Sequence, residues 1–296
     1  MQLQEILPFE IVKINEPMSK HTSFRIGGPA DILVMPKTIE DVTTAMKWAV
    51  DNDIKYLLVG VGSNMLVKDG GFRGMIIKLG SNFKGIEIDG LMVRAKSGTR
   101  LSELAKRAAE TGLSGLEFAE GIPGTVGGAV YMNAGAYDGQ MSNVVTKVIV
   151  LSNGEVTELI GGELGFGYRR SVFQQKHDLI LEVEMLLAPG DPDQIREKMR
   201  GFAHSRKEKQ PLEFPSAGSV FRRPEGRFVG PMIEELGLKG YRIGDAEISS
   251  KHAGFIVNRG KAKAAEVLAL IAHIQSHVRE QFSVDLETEI MIIGED

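Results

Sequence analysis

Cysteine is absent from all 296 residues, which removes disulfides, thiolate catalysis and cysteine-ligated metals in one step. Redox chemistry in such a chain has to come from a bound cofactor. No apolar run approaches the ~20 residues that a membrane span needs. The opening MQLQEILPFEIVKINEP also lacks the basic start and apolar centre of a secretory signal, so the expectation is a cytoplasmic protein with no membrane partner. Several catalytic signatures fail by a residue or two. GVGSNM has Met65 where a dinucleotide fingerprint needs its third glycine. Gly260-Lys261 is followed by Ala262 and has Phe255 at the earlier glycine position, which excludes a P-loop. The G-x-S-x-G elbow of hydrolases is missing. His273 and His277 sit one helical turn apart but lack the glutamate of H-E-x-x-H.

What is present reads as a globular chain: 43% hydrophobic and 25% charged residues suit a folded, water-soluble protein. Single cores stop growing near roughly 250–300 residues, so more than one domain is expected. The net charge of -4 conceals an asymmetry. Residues 201–263 carry twelve Lys and Arg against seven Asp and Glu, while the remainder has 23 against 32. A nucleic-acid binder spreads its bases along a helix or a whole domain. Here they are interleaved with glycine, proline and aromatics, as in GSVFRRPEGRF, which suits a pocket for a small anion; a solvated basic face remains the plainer alternative.

Periodicity gives alternating elements. Thr38 and Asp41 have capping-box spacing ahead of a helix over 39–51. KYLLVG (55–60) and GMIIKL (74–79) read as strands, 85–98 as a hairpin turning at Asp89-Gly90, and Thr99 as the cap of a helix over 101–110 that stops at Gly112. Strands follow near 144–151, 155–160 and 179–187, then a helix from Asp191 to about Lys207. Beyond the break at KQPLEFPSAGS come a helix near 229–236, strands near 242–248 and 254–258, a helix over 263–281 and a closing strand in VDLETEIMII. The class is α+β, with one region ending near 200 and a second after it.

Two glycine-rich stretches stand out. GVGSN turns at the end of a strand and offers N–H groups with Ser63 and Asn64, as a phosphate turn or a plain tight turn would. AEGIPGTVGGAVYMNAGAYDG (119–139) holds six glycines. Gly121, Gly124, Gly127 and Gly128 remove Cβ atoms from one side, Pro123 stiffens the approach, and a helix beginning in GTVGG would favour a phosphate at its N-terminus. A pyrophosphate-bearing cofactor and close helix packing both fit that pattern. Tyr168-Arg169, Ser219 and Glu289 are ordinary on their own. Period-two alternation puts Glu289 on one face with Asp285 and Glu287, opposite Leu286, Ile290 and Ile292.

HTSFRIGGPA (21–30), VGVGSNMLV, GLEFAEGIPGTVGGAVYMNAGAY, YRRSVF (168–173), KQP with SAGSVFRRP, GDAEISSKHAGFIVN (244–258) and LETEI occur in order from about residue 20 to the C-terminus. Together they resemble the UDP-N-acetylenolpyruvoylglucosamine reductases, bacterial flavoenzymes of peptidoglycan-precursor synthesis. The resemblance implies a two-subdomain FAD-binding fold of the vanillyl-alcohol-oxidase (PCMH) type plus a smaller α/β substrate-binding domain. The implied boundaries are 1–200 for the FAD region, with subdomains of about 1–80 and 81–200, and 201–296 for the substrate domain, whose last strand (284–293) returns towards the flavin. It implies noncovalent FAD reduced by NADPH, and UDP-N-acetylglucosamine enolpyruvate as the small-molecule substrate. A hydride would pass from flavin N5 to C3 of the enolpyruvyl group and a proton would reach C2, with no nucleic acid involved.

By the same resemblance Gly60, Val61, Gly62, Ser63, Asn64 and Met65 would hold FAD from one side. Gly121, Ile122, Pro123, Gly124, Val126, Gly127, Gly128, Gly135 and Ala136 would hold it from the other, the cofactor itself carrying the hard chemistry. Arg169 matches the arginine that holds the substrate carboxylate, with a planar fork suited to both oxygens. Glu289 matches its acidic partner, a carboxyl whose pKa would be raised beside another carboxylate. Ser219 matches the proton donor, which needs neighbours to stabilise an alkoxide or relay the proton. Tyr168 and Arg223 fall in the substrate site, and Lys209 matches a diphosphate-binding lysine with Arg222 as a helper. The stretch between Ser171 and Lys209 has no room for the tyrosine-bearing loop of one subtype, so the chain resembles the subtype without it. Three other readings remain: an inactive nucleotide-sugar-binding module, another FAD oxidase of the same fold, and a metalloenzyme built on His273 and His277.

Overall fold

The computed structural model describes residues 3–152, 154–176 and 178–296. The chain divides into two compact units that are each discontinuous in sequence: Met1–Val12, Val34–Val61 and Ile76–Ser205 form one, and Lys13–Leu33, Gly62–Met75 and Arg206–Asp296 form the other.

In the first unit a five-stranded antiparallel sheet runs in the order Glu155–Ile160, Val145–Ser152, Leu179–Leu186, Met92–Lys96, Ile86–Asp89. The Asp89↔Met92 pairing leaves Gly90-Leu91 as its two-residue turn, and Gly90 takes the positive φ of 58° that such a turn requires. Helix Leu101–Glu110 buries Leu101, Leu104, Ala105, Ala108 and Ala109, the i, i+3, i+4 stripe that faces a core. Val126, Val130, Val148, Val183 and Ile195 join them in one cluster. Helix Ile39–Asp51 carries the capping box read from the sequence, with Asp41 N–H donating to Thr38 Oγ1 and Thr38 N–H to Asp41 Oδ2, both at 3.0 Å. Thr99 does not cap its helix. Arg100 holds that position, because the Thr99 hydroxyl is taken by the backbone of Gly85.

In the second unit Ser216–Ser219, Phe255–Asn258, Ala246–Ile248 and Arg242–Ile243 form a sheet in that order. The strand expected over 242–248 is a tight hairpin, Arg242 pairing with Glu247 and Ile243 with Ala246, since Gly244 takes φ 57° and lets the chain reverse. Helix Ala264–Phe282 buries Val267, Leu270, Ile271, Ile274 and Val278 along one face, at roughly 1.5–3 kcal/mol for each fully buried aliphatic side chain. Its first N–H groups are capped from far away: the carboxylate of Asp69 accepts from Ala264 (2.9 Å) and Ala265 (3.0 Å), an arrangement worth about 1 kcal/mol.

The closing stretch is a strand only at Met291–Ile293, which pairs in parallel with Met65–Val67. The expected alternation over 284–290 fails. Residues 284–290 are irregular apart from the isolated bridge of Thr288 to Phe221, and Glu289 is half-buried while Asp285 and Glu287 are exposed.

Candidate functional site

Glycine 60 and the loop Gly121–Gly128 meet in the first unit: a Cβ on Gly60 would lie 2.5 Å from Thr125 Oγ1. The short helix Val126–Tyr131 follows. Its first N–H groups are already engaged by the chain, Val126 with Thr99 O (2.8 Å), Gly127 with Ser97 O (2.9 Å) and Gly128 with Thr125 Oγ1 (3.4 Å). The expected phosphate seat at this helix start is therefore filled by the 97–99 segment and by the cap. The four glycines also divide. Gly127 packs, because a Cβ there would come 2.7 Å from Ser97 Cβ, whereas one on Gly128 would meet only Thr125 Oγ1 at 3.5 Å. Gly121 and Gly128 are exposed, Gly124 and Ile122 half-buried, Pro123 exposed and Val126 fully buried in the core. Ser97 Oγ lies buried beside this loop without a hydrogen-bond partner.

These observations are the test of fit for FAD. A bare, outward-facing edge at Gly121 and Gly128, plus an unsatisfied hydroxyl under the loop, suits a flat polar ligand and is not what close packing alone needs. The residues present fit the group.

Arg169 sits in a turn clasped by side chains. Gly167 and Arg170 exchange backbone hydrogen bonds of 3.0 and 3.2 Å, and Arg169 takes φ 53°. Asn133 Nδ2 donates to Gly167 O (2.9 Å), Gln174 Nε2 to Arg169 O (3.0 Å) and to Tyr131 O (3.1 Å), and Ser171 Oγ to Tyr131 O (2.6 Å). Asn133 is 2% exposed and also accepts from Ser142 N–H at 2.9 Å. The half-buried guanidinium donates to Gly135 O at 3.3 Å and lies 5.5 Å from the centre of the Tyr168 ring, itself 59% exposed. Gly135-Ala136 pairs with Gly139-Gln140 in a small hairpin. Asn133, Ser171 and Gln174 escaped the sequence reading; the only signal was a set of amides and a hydroxyl flanking the glycines and the arginine.

The second unit brings three separated sequence stretches together. Ser216 pairs with Val257 and Ser219 with Phe255, so the ladder holds one extra residue. Gly218 at φ 80° absorbs it, and the resulting bulge leaves Ser219 exposed between buried Ala217 and Val220. Val220 N–H donates to Gly254 O (2.9 Å) and Glu289 N–H to Val220 O (2.7 Å). Asn64 Nδ2 donates to Glu289 O (3.1 Å) and Met291 N–H to Asn64 O (2.9 Å). Glu289 thus lies beside the serine strand and the GVGSN turn. Gly62 takes φ 66°, and a Cβ on it would strike His21 O at 2.6 Å; Ser23 N–H caps the turn through Gly62 O at 3.1 Å. Met65 is buried at the start of its strand.

The bases of this unit stand in different settings. Lys209 is the exposed last residue of helix Pro192–Lys209. Arg223 stacks its guanidinium 3.7 Å from the centre of the exposed Phe228 ring. Arg222 has a buried Nε without a partner while its NH1 is 3.9 Å from Glu287 Oε2. His273 stacks on Tyr241 at 4.4 Å and His277 Nδ1 lies 2.8 Å from His273 O. Among the described residues no group of three or more His, Asp or Glu is placed to hold a metal ion, and no helix is long and apolar enough to cross a membrane.

Residues 30–160 match the FAD binding domain family and residues 210–293 match the family described as UDP-N-acetylenolpyruvoylglucosamine reductase, C-terminal domain. A solved variant of Phl p 4, a glucose oxidase, shares the fold at TM-score 0.51 and 13% identity over 64% of this chain and 44% of its own. The FAD binding domain match and this fold define the class, an FAD-dependent oxidoreductase. The crystal structure of UDP-N-acetylenolpyruvylglucosamine reductase from Thermus caldophilus superposes at TM-score 0.83 with 35% identity, covering 96% of this chain and 98% of that one. Two further relatives carry the name UDP-N-acetylenolpyruvoylglucosamine reductase. The Syntrophomonas wolfei protein is 49% identical over 296 residues (100% of this chain, 99% of its own), and the Alkaliphilus oremlandii protein 48% over 295 (99% and 97%). This chain belongs to the UDP-N-acetylenolpyruvoylglucosamine reductase family.

Proposed function

We propose that this protein reduces UDP-N-acetylglucosamine enolpyruvate to UDP-N-acetylmuramate with electrons from NADPH, in the cytoplasm, during peptidoglycan-precursor synthesis. FAD, held by residues of 1–200 at Gly60–Met65, Gly121–Gly128 and Gly135-Ala136, supplies the hydride relay between NADPH and substrate. Residues 201–296 hold the sugar nucleotide, Lys209 and Arg223 offering charge to its diphosphate.

The chain's own groups do the rest. Reduction of an enol ether conjugated to a carboxylate builds negative charge on that carboxylate, which donors aimed at it stabilise. Arg169 presents two parallel N–H groups to the carboxylate, with Tyr168 beside it. Ser219, turned outward by its bulge, delivers a proton to C2. Glu289, anchored through its backbone to Val220 and Asn64, supplies the carboxyl that keeps the developing charge and the proton in register.

One observation supports this reading: the Glu289 N–H to Val220 O bond of 2.7 Å, which joins the C-terminal stretch at the half-buried Glu289 to the residue that follows Ser219. Anaerobic mixing of the NADPH-reduced protein with the enolpyruvyl sugar nucleotide tests it. Rapid return of the oxidised flavin colour is the expected result. Persistence of the reduced colour, or purification of a colourless protein that binds the sugar nucleotide, refutes it.

A further inference from the structure

The hairpin that carries Gly135 turns in two residues, Tyr137 and Asp138, between paired Ala136 and Gly139. Both have positive φ, 50° and 64°, the backbone of a type I′ turn, for which Asn-Gly is the favoured sequence. Aspartate tolerates that region. A tyrosine there is strained by roughly 1–2 kcal/mol, and such a residue persists only where its surroundings over-determine it.

Its surroundings are specific. The Tyr137 ring stacks face to face on Phe202 of helix Pro192–Lys209, with centroids 4.2 Å apart and planes 1° from parallel. Its hydroxyl donates to Phe202 O at 3.1 Å, and Lys198 Nζ stands 5.9 Å from the centre of the Phe202 ring. The tyrosine is 37% exposed, so core burial does not account for it. At the far end of the same hairpin, Gly135 O receives the Arg169 guanidinium. Between the two, Gly139 is pressed against Phe118, where a Cβ would come within 2.7 Å of the ring. Strained turn, aromatic stack and arginine acceptor are linked through four residues of chain.

We propose that Tyr137 is a positioning residue for Arg169: its stack on Phe202 fixes the hairpin against the helix, and the hairpin's Gly135 carbonyl fixes the aim of the guanidinium fork. The strain in the turn is the cost of placing a large ring where Asn-Gly would fold more easily. The inference rests on the reading of Arg169 as the residue that holds the substrate carboxylate.

The test uses the FAD-loaded, full-length protein. In the double variant Tyr137→Asn/Asp138→Gly the turn is relaxed and the stack is gone. Expected are an equal or higher Tm, reduction by NADPH unchanged, and oxidation by the enolpyruvyl sugar nucleotide slowed at least ~10-fold, the scale of a misplaced catalytic contact. Tyr137→Phe, which keeps the ring, restores the oxidative rate. Added to Arg169→Lys, the relaxed turn slows oxidation no further than Arg169→Lys alone, because the two act through one contact. An unchanged oxidative rate in the relaxed-turn variant overturns the proposal, and so does an equal loss in both half-reactions or a fall in Tm. Arg169→Lys separates the two failures. If it slows oxidation while the relaxed turn does not, the positioning role alone falls; if it has no effect, the reading of Arg169 falls first.

Discussion

In the unit that carries Arg169 the turn around it is clasped by side chains: Asn133, Ser171 and Gln174 bond to carbonyls of Gly167, Tyr131 and Arg169. In the unit that carries Ser219 the placement is made by backbone. Val220 and Glu289 are joined N–H to carbonyl, Val220 to Gly254 likewise, and the serine is turned outward by one extra residue at Gly218. A clasp can be loosened by deleting one amide from a side chain. A ladder cannot, so residues on it tolerate side-chain change except where the side chain itself reacts.

Ser219→Ala gives the largest effect expected. It leaves the ladder intact, so the protein folds, binds FAD and is reduced by NADPH as before. Oxidation by substrate slows by at least ~10², the general scale of proton-transfer catalysis. Equal loss in both half-reactions, followed by stopped-flow flavin absorbance, would contradict the donor role. Asn133→Ala tests the clasp. It leaves the Ser142 N–H without its acceptor and removes one of the two donors to Gly167 O, which keeps its bond from Arg170 N–H, at a cost of about 1–3 kcal/mol. Tm falls, and the oxidative half-reaction falls with it, whereas Glu287→Ala, beside the ladder and exposed, changes neither. If Glu287→Ala disturbs oxidation as much as Asn133→Ala, the distinction between clasp and ladder is lost.

The two regions were also legible to different degrees. Helix Ile39–Asp51 followed from Thr38 and Asp41, and the Gly90 turn from its flanking alternation, because both are local chemistry. Family motifs pointed to Arg169, Ser219 and Glu289, but no periodicity could show that Asn133 would reach 34 residues along the chain to Gly167. The alternation in DLETEI suggested three equivalent acids on a strand. Tertiary pairing singles out Glu289 by bonding its backbone to Val220 and to Asn64, contacts across 69 and 225 positions. Thr99 looked like a cap and is held instead by Gly85. Each miss is a long-range partner outcompeting a local preference.

Glycines sharpen the comparison further within the first unit. Gly127 and Gly128 are neighbours with opposite surroundings, one against Ser97 Cβ and one open. Gly127→Ala overpacks the contact and costs ~1–3 kcal/mol, seen as a lower Tm in apoprotein and loaded protein alike. Gly128→Ala improves helix propensity by up to ~1 kcal/mol, so apoprotein Tm holds or rises. A methyl on the outward edge nonetheless weakens FAD retention, measured as the flavin-to-protein absorbance ratio. Full flavin content in Gly128→Ala would remove that edge from the cofactor site.

The smallest effect expected lies on the ladder side and depends on pH. Burial holds the His252 imidazole below its usual pKa, against opposing contributions from its own backbone and Glu234, and with Lys239 adding to the depression. The depression favours the neutral ring in the folded state, where Nδ1 accepts from Gly254 N–H at 3.1 Å, and Gly254 O in turn holds Val220 beside Ser219. The unfolded chain protonates near pH 6.5, so the folded state binds fewer protons there. This contribution to stability is full above that pH and is lost as the pH falls through the folded-state pKa. The Tm of the protein thus drops between about pH 7.5 and about pH 5.5 by more than that of His252→Gln, which has no proton to gain. Acid thus loosens the ladder at Gly254 and Val220; equal pH slopes in the two proteins would show that protonation of His252 is not what makes the folded state sensitive to acid.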